Sequence, residues 1–136
     1  MDLFVYGTLM APAVWHKVVK GEYDSRPGRL HNYQRLCVAG ASYPGLIASA
    51  GSAVDGVVYF DVSTSDMQRL DLFEGDEYER IMVEVELENG EKTSCQTFLF
   101  KEAFRRRLTN VEWSYEEFLK SGLQEFLETY AGRESD

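Results

Sequence analysis

Apolar residues recur along the 136-residue chain with two different periods, and each change of period marks a boundary between elements. Leu3 to Tyr6 is a short apolar run that stops at Gly7, which predicts a strand running into a tight loop. Pro12 suits the first position of a helix, and Val14, Trp15, Val18 and Val19 follow at helical spacing. Beyond Ser25 the pattern breaks into short strand-like pieces, Arg35 to Val38, Leu46 to Ala48 and Val54 to Phe60, separated by Gly40, Gly45, Gly51 and Gly56. Ser65 with Gln68 three residues on has the form of a capping box, and it announces a helix that carries Met67, Leu70 and Phe73 before Gly75 stops it.

The clearest alternation comes next. Ile81, Val83, Val85 and Leu87 interleave with Arg80, Met82, Glu84 and Glu86, the signature of a half-buried strand. Asn89-Gly90 then predicts a two-residue hairpin, since both residues tolerate positive φ, with Thr93 to Phe100 as the returning strand. Ser114 with Glu117 opens a C-terminal amphipathic helix whose stripe is Phe118, Leu119, Gly122, Leu123, Phe126, Leu127 and Tyr130, with Gly132 beyond its end and Arg133 to Asp136 expected to fray. No repeat, low-complexity tract or linker interrupts the chain, so residues 1–136 form one domain, with a core over about 3–100 and a terminal helix over about 114–131.

Composition narrows the function classes. A hydrophobic content of 44%, with two Trp, eight Tyr and eight Phe, is enough to build a core. A net charge of -9 argues against nucleic-acid binding, which needs a basic surface, and the single basic cluster, Arg105-Arg106-Arg107, reads as a solvated loop or strand edge. No apolar run approaches the roughly 20 residues that span a bilayer, and Met1-Asp2 leads straight into strand-like sequence, so a cytoplasmic location is expected. The terminal helix has an acidic polar face, unlike a membrane-surface helix, and is expected to pack on the sheet or on a second subunit, as a monomer or homodimer. Cys37 and Cys95 lie in no metal or disulfide spacing and read as reduced, packed residues.

Several chemistries lack their residues. The chain has no Gly-x-Ser-x-Gly, no His-x-x-x-His and no P-loop, and His16 and His31 sit in different elements with no nucleophile beside either, so both read as exposed or structural. Two features remain. The Gly7-Thr8-Leu9 loop after the first strand can present consecutive amide N–H groups to an anion, although a strand turning into a helix needs a glycine for geometric reasons too. Leu70 to Arg80 places five carboxylates at a helix-to-strand junction; Asp71, Asp76, Glu77 and Glu79 read as surface charges, whereas Glu74, between Phe73 and Gly75, is best placed to point into a hollow between helix end and sheet.

Taken together, these segments resemble the gamma-glutamylcyclotransferase-like family, especially its small members related to gamma-glutamylamine cyclotransferase and the plant avirulence-induced proteins. Phe4-Val5-Tyr6-Gly7-Thr8-Leu9 is similar to the family's Tyr-Gly-Ser/Thr-Leu signature, Tyr43-Pro44-Gly45 to its Tyr-Pro, Val54-Asp55-Gly56-Val57-Val58-Tyr59 to its Val-x-Gly-x-x-Tyr strand, and Leu70 through Arg80 to its Leu-Asp-x-x-Glu-Gly-x-x-Tyr-x-Arg block. All four occur in order and in register, over residues 3 to 100. The resemblance implies an α+β fold, a small mixed β-sheet or barrel with two short helices and a C-terminal amphipathic helix. It implies Glu74 as the acid/base and Tyr6, Gly7, Thr8 and Leu9 as the grip on a gamma-glutamyl moiety; Tyr78 reads either as a further cavity residue or as an aromatic packed at the start of a strand, and Arg80 reads as structural. No metal and no cofactor are implied; the expected partner is a small gamma-glutamyl substrate, closed to 5-oxoproline with release of an amine. A non-catalytic protein that binds a small carboxylate on the same scaffold is the alternative reading.

Overall fold

Leu3, Phe4 and Val5 are apolar in succession because the strand they form, β1 (Leu3–Val5), is covered on both faces. Phe4 points into one apolar cluster with Leu30, Leu46, Val58, Val83 and Val85, while Leu3 and Val5 point into another with Trp15, Met67, Leu70 and Phe98. The first cluster fills a barrel and the second lies between the barrel wall and the helices that cover it. The protein is described by a computed structural model that covers the backbone of residues 1–134 and the side chains of residues 1–129.

The other strands are β2 (Ser25–Val38), β3 (Pro44–Tyr59), β4 (Tyr78–Leu87), β5 (Lys92–Phe100) and β6 (Leu108–Glu112). They run in the order β3-β1-β5-β4-β2-β6, and β2 pairs with β3 as well, which closes five strands into a barrel and leaves β6 as an extension on β2. β1 is parallel to β5 and antiparallel to β3. The barrel is narrow, and Gly56 shows how narrow: a Cβ there would lie 2.2 Å from the Val5 carbonyl oxygen. The glycine of the Val-x-Gly-x-x-Tyr strand is therefore a packing requirement.

Several local expectations are corrected. The pieces read as Arg35 to Val38, Leu46 to Ala48 and Val54 to Phe60 belong to two long antiparallel strands, bent by a register shift between His31 and Tyr33 where Asn32 takes φ 69°. Asn32 Oδ1 also accepts from the Gly51 amide (3.1 Å), so the interrupting glycine sits inside β3. The Asn89-Gly90 connection is longer than two residues. Gly90 N–H donates to Leu87 O (2.9 Å) and Leu87 N–H to Glu91 O (2.7 Å), with positive φ at Gly90 but not at Asn89, which makes a three-residue turn with a glycine bulge. The strand β6 had no counterpart in the sequence reading.

Helix α1 (Pro12–Val18) buries Val14, Trp15 and Val18 as its spacing predicts, with Trp15 stacked on Tyr59 at 3.8 Å. Helix α2 (Thr64–Glu74) is capped by Ser63, not Ser65: the Ser63 hydroxyl accepts from the Asp66 amide (3.1 Å). Tertiary contacts select that cap. Asp66, 1% exposed, accepts from the Lys20 and Gly21 amides (both 2.9 Å), from the Tyr23 hydroxyl (2.5 Å) and from Arg69 (2.7 Å), and so ties α2 to the end of α1.

The C-terminal helix starts at Ser114 as expected, but runs as Tyr115–Glu117, then a π turn over Phe118–Gly122, then Leu123–Glu134. The wide turn holds an extra residue, which moves every later residue one position round the helix. Phe118, Leu123, Phe126 and Leu127 pack on the core, whereas Leu119 of the expected stripe turns outward and is 43% exposed. The helix continues past Gly132; the expected fraying of Arg133 to Asp136 and the place of the Tyr130 side chain lie outside the described side chains. Among the described residues no helix is long and apolar enough to cross a membrane.

Candidate active site

The site forms where β1 ends. After Val5 the chain passes through Tyr6 and Gly7 into a single 3-10 turn, Thr8–Met10, closed by Met10 N–H to Gly7 O (3.0 Å) and Ala11 N–H to Thr8 O (3.1 Å). These bonds occupy the Met10 and Ala11 amides, whereas the amides of Gly7, Thr8 and Leu9 donate to no acceptor among the described residues. The loop is thus a short run of unsatisfied donors, the arrangement that receives an anion. Gly7 lets it lie against Pro44, whose Cδ and Cγ would be 2.9 Å from any Cβ at that position.

Arg35 fastens the loop's entry. Its guanidinium donates to Tyr6 O (2.5 Å) and Asp55 O (3.1 Å) and lies over the Trp113 ring at 5.2 Å. Trp113 in turn donates to Ser42 O (2.9 Å). A charged side chain this enclosed holds three separate elements in register, which the sequence pattern of β2 did not signal.

Glu74 arrives from the other side as the last residue of α2, where Gly75 takes φ 79° and turns the chain towards β4. It shares a small hollow with Tyr6, Gly7, Thr8, Leu9, Tyr43, Pro44 and Tyr78. All six residues singled out in the sequence therefore come together. Tyr43 and Pro44 join them, and the Tyr-Pro pair was legible as a motif without a role. Tyr6 O–H donates to Phe98 O and Tyr78 O–H to Pro44 O, each at 2.6 Å, so both phenols are fixed by backbone carbonyls.

Charge completes the picture. Among the described residues no donor or cation pairs with the Glu74 carboxyl. Burial raises its pKa from 4.5 to about 8, and the negative charge of Asp71 adds to the effect. Tyr6 is held well above its ordinary value by burial first and by Glu74 second, and Tyr78 is raised by burial, Tyr6 and Glu74 in that order. These mutual effects place the three groups within electrostatic reach of one another.

Two other carboxylates of the block, Asp71 and Glu77, are paired with arginines. Asp71 pairs with Arg80 (2.8 Å), which also donates to Gln96 Oε1 (2.7 Å), so Arg80 is structural as expected. Glu77, expected as a plain surface charge, is only 16% exposed at its side chain; it pairs with Arg107 and accepts from the Tyr43 hydroxyl (3.1 Å). Arg105, Arg106 and Arg107 end a 3-10 turn, Glu102–Arg107, that leads into β6. Neither cysteine joins the site, and burial pushes the Cys95 thiol up to about 12. His16 is exposed and His31 Nε2 lies 3.0 Å from Glu86. Among the described residues no group of three or more His, Cys, Asp or Glu is arranged to hold a metal.

A second hollow of about 240 Å³ shares Thr8, Tyr43, Glu74 and Tyr78 with the first and adds Phe73, Asp76, Glu77 and Phe126. Phe126 was legible only as one residue of an apolar stripe; nothing in its spacing separates a core position from a cavity wall.

Known proteins share this fold. The family model described as "Gamma-glutamyl cyclotransferase, AIG2-like" matches residues 3–116. "Protein AIG2 C" of Arabidopsis thaliana is 33% identical over 130 residues, covering 95% of this chain and 78% of that protein. The solution structure of another Arabidopsis thaliana protein superposes with a TM-score of 0.73 at 29% identity, over 95% of this chain and 87% of that one. A structure titled "Gamma-glutamyl cyclotransferase" shares the fold with a TM-score of 0.64 at 22% identity, over 74% of this chain and 66% of that one.

Proposed function

The chain belongs to the gamma-glutamyl cyclotransferase, AIG2-like family, and from that premise we propose that it cyclises the glutamyl group of gamma-glutamyl amides, releasing 5-oxoproline and a free amine, with Glu74 as general acid/base. The observation that carries this reading is that the Glu74 carboxyl and the amides of Gly7, Thr8 and Leu9, none of which has a hydrogen-bond partner among the described residues, line one hollow.

In this reading the substrate's α-carboxylate lies on the loop amides and its α-ammonium beside Glu74. A cation so close favours the ionised carboxyl, so binding releases the proton that Glu74 holds at neutral pH. Glu74 then takes a proton from the α-ammonium, and the freed amine attacks the γ-carbonyl carbon five-membered-ring fashion. The attacking nitrogen still carries two protons in the tetrahedral intermediate; Glu74 delivers its proton to the leaving nitrogen as that C–N bond breaks, then takes the second proton from the ring nitrogen, which leaves a neutral lactam and returns Glu74 to its protonated form. The nucleophile is part of the substrate, so positioning is the main task of the protein, an effect worth up to about 7 to 11 kcal/mol in well-oriented systems. The O–H groups of Tyr6 and Tyr78 are committed to backbone carbonyls, and their role is to shape the hollow and keep it poor in water.

Incubating the protein with gamma-glutamyl methylamide, benzylamide and gamma-glutamyl amino acids, and following 5-oxoproline by chromatography, tests the proposal. Release from at least one amide is expected. Binding of these compounds without any release identifies instead a carboxylate-binding protein.

A further inference from the structure

The reading above leaves the leaving amine without a binding site, and the outer hollow supplies one. It adjoins the loop through Thr8 and contains Glu74 but not Tyr6, Gly7 or Leu9, so with the glutamyl moiety on the loop amides, what lies beyond the scissile bond extends into this second space. Among the described residues its aromatic lining is Tyr43 and Tyr78, shared with the first hollow, and two phenylalanines that the first hollow lacks. Phe73 belongs to α2, one residue before Glu74, and Phe126 belongs to the C-terminal helix, beyond the span matched by the family model. Their rings meet edge to face at 5.9 Å, and Phe118 holds Phe126 from another side at 5.8 Å. The π turn over Phe118–Gly122 brings Phe126 to that position, because it shifts the residues after it round the helix.

We propose that Phe126 is a specificity-determining residue for the cyclisation assigned above, selecting gamma-glutamyl amides whose leaving amine carries an apolar, ring-sized body close to its nitrogen. A ring entering this space gains aromatic contact with Phe126 and Phe73, whereas a methyl group is too short to reach it. The inference rests on the proposed reaction for the identity of the ligand, and on the geometry of the outer hollow for the selectivity.

The test compares gamma-glutamyl benzylamide with gamma-glutamyl methylamide on the wild-type protein, Phe126→Ala, Phe126→Leu and Leu127→Ala. Leu127 packs on the core from the same helix without lining the hollow, so its truncation controls for a loosened helix. Phe126→Ala is expected to lower kcat/KM for the benzylamide by about tenfold, the size of one aromatic contact, and to leave the methylamide within about twofold. Phe126→Leu retains the packing and recovers part of the loss, and Leu127→Ala does not change the ratio of the two amides. Equal losses on both amides in Phe126→Ala, or the same change of ratio in Leu127→Ala, overturn the assignment. Calorimetric binding of both amides to the same variants is measured in parallel. If the wild type releases no 5-oxoproline the proposed reaction fails, while the ratio of dissociation constants still decides whether Phe126 discriminates between the two groups.

Discussion

Replacing Glu74 by Gln should leave a protein that is harder to unfold and unable to turn over, and the two effects have one cause. In the folded chain the carboxyl titrates at about 8 in place of 4.5, with burial as the first reason. Between those values the folded protein holds a proton that the unfolded chain has lost, so folding takes up a proton and stability falls as pH rises through the window. The span from 4.5 to about 8 corresponds to an upper limit of about 5 kcal/mol at about 1.4 kcal/mol per pH unit, of which about 3 to 4 accumulates between pH 5 and pH 8. Gln is nearly isosteric and cannot ionise, so this part of the pH dependence disappears in the variant. Urea unfolding of both proteins at pH 5, 6.5 and 8 is the assay: the curves should lie close together at pH 5 and separate by a few kcal/mol at pH 8, with the variant the more stable. Activity moves the opposite way. Loss of a general acid/base costs about 10² to 10⁴ in rate, and wild-type kcat/KM should rise with pH up to about 8 as Glu74 ionises in the free enzyme. Parallel stability curves, or full 5-oxoproline release by the variant, would refute the reasoning.

Two further substitutions probe the frame around the site. Gly7→Ala places a Cβ 2.9 Å from the Pro44 ring, which is stiff and cannot swing aside; the loop must shift, raising KM about tenfold at a stability cost of about 1 to 3 kcal/mol, and a wild-type KM in steady-state kinetics would show that the loop amides do not hold the substrate. Asp66 is pushed up by burial but pulled further down by hydrogen bonds from Tyr23, Lys20, Gly21 and Arg69, to about 2. The stability this contributes is present above the unfolded value of 3.8 and is lost as pH falls towards about 2. Asp66→Asn should therefore cost about 2 kcal/mol or more at pH 7 and unfold with a flatter acid limb than the wild type, as read by circular dichroism; identical acid limbs would contradict it.

Much of this protein was legible residue by residue. The alternation in β4, the apolar β1, the buried stripe of α1 and the stop at Gly75 depend on neighbours a few positions apart, where backbone geometry ties side-chain direction directly to sequence. The motif-bearing residues were visible for the same reason: Gly7 and Gly56 are short because backbone or a proline ring passes close by. What depended on distant partners was not visible. Ser63 displaces Ser65 as the cap because Asp66 must turn towards the Lys20 and Gly21 amides. The π turn and the outward Leu119 follow from how the C-terminal helix lies on the core, and the closing of five strands into a barrel rests on pairing between β2 and β3 along their whole length. The same division runs through the site. Sequence put a glutamate at a helix end and a donor loop after a strand; only the tertiary structure brings them to one enclosed hollow, where loss of water, a property of the surroundings and not of the residue, gives the carboxyl its altered acidity.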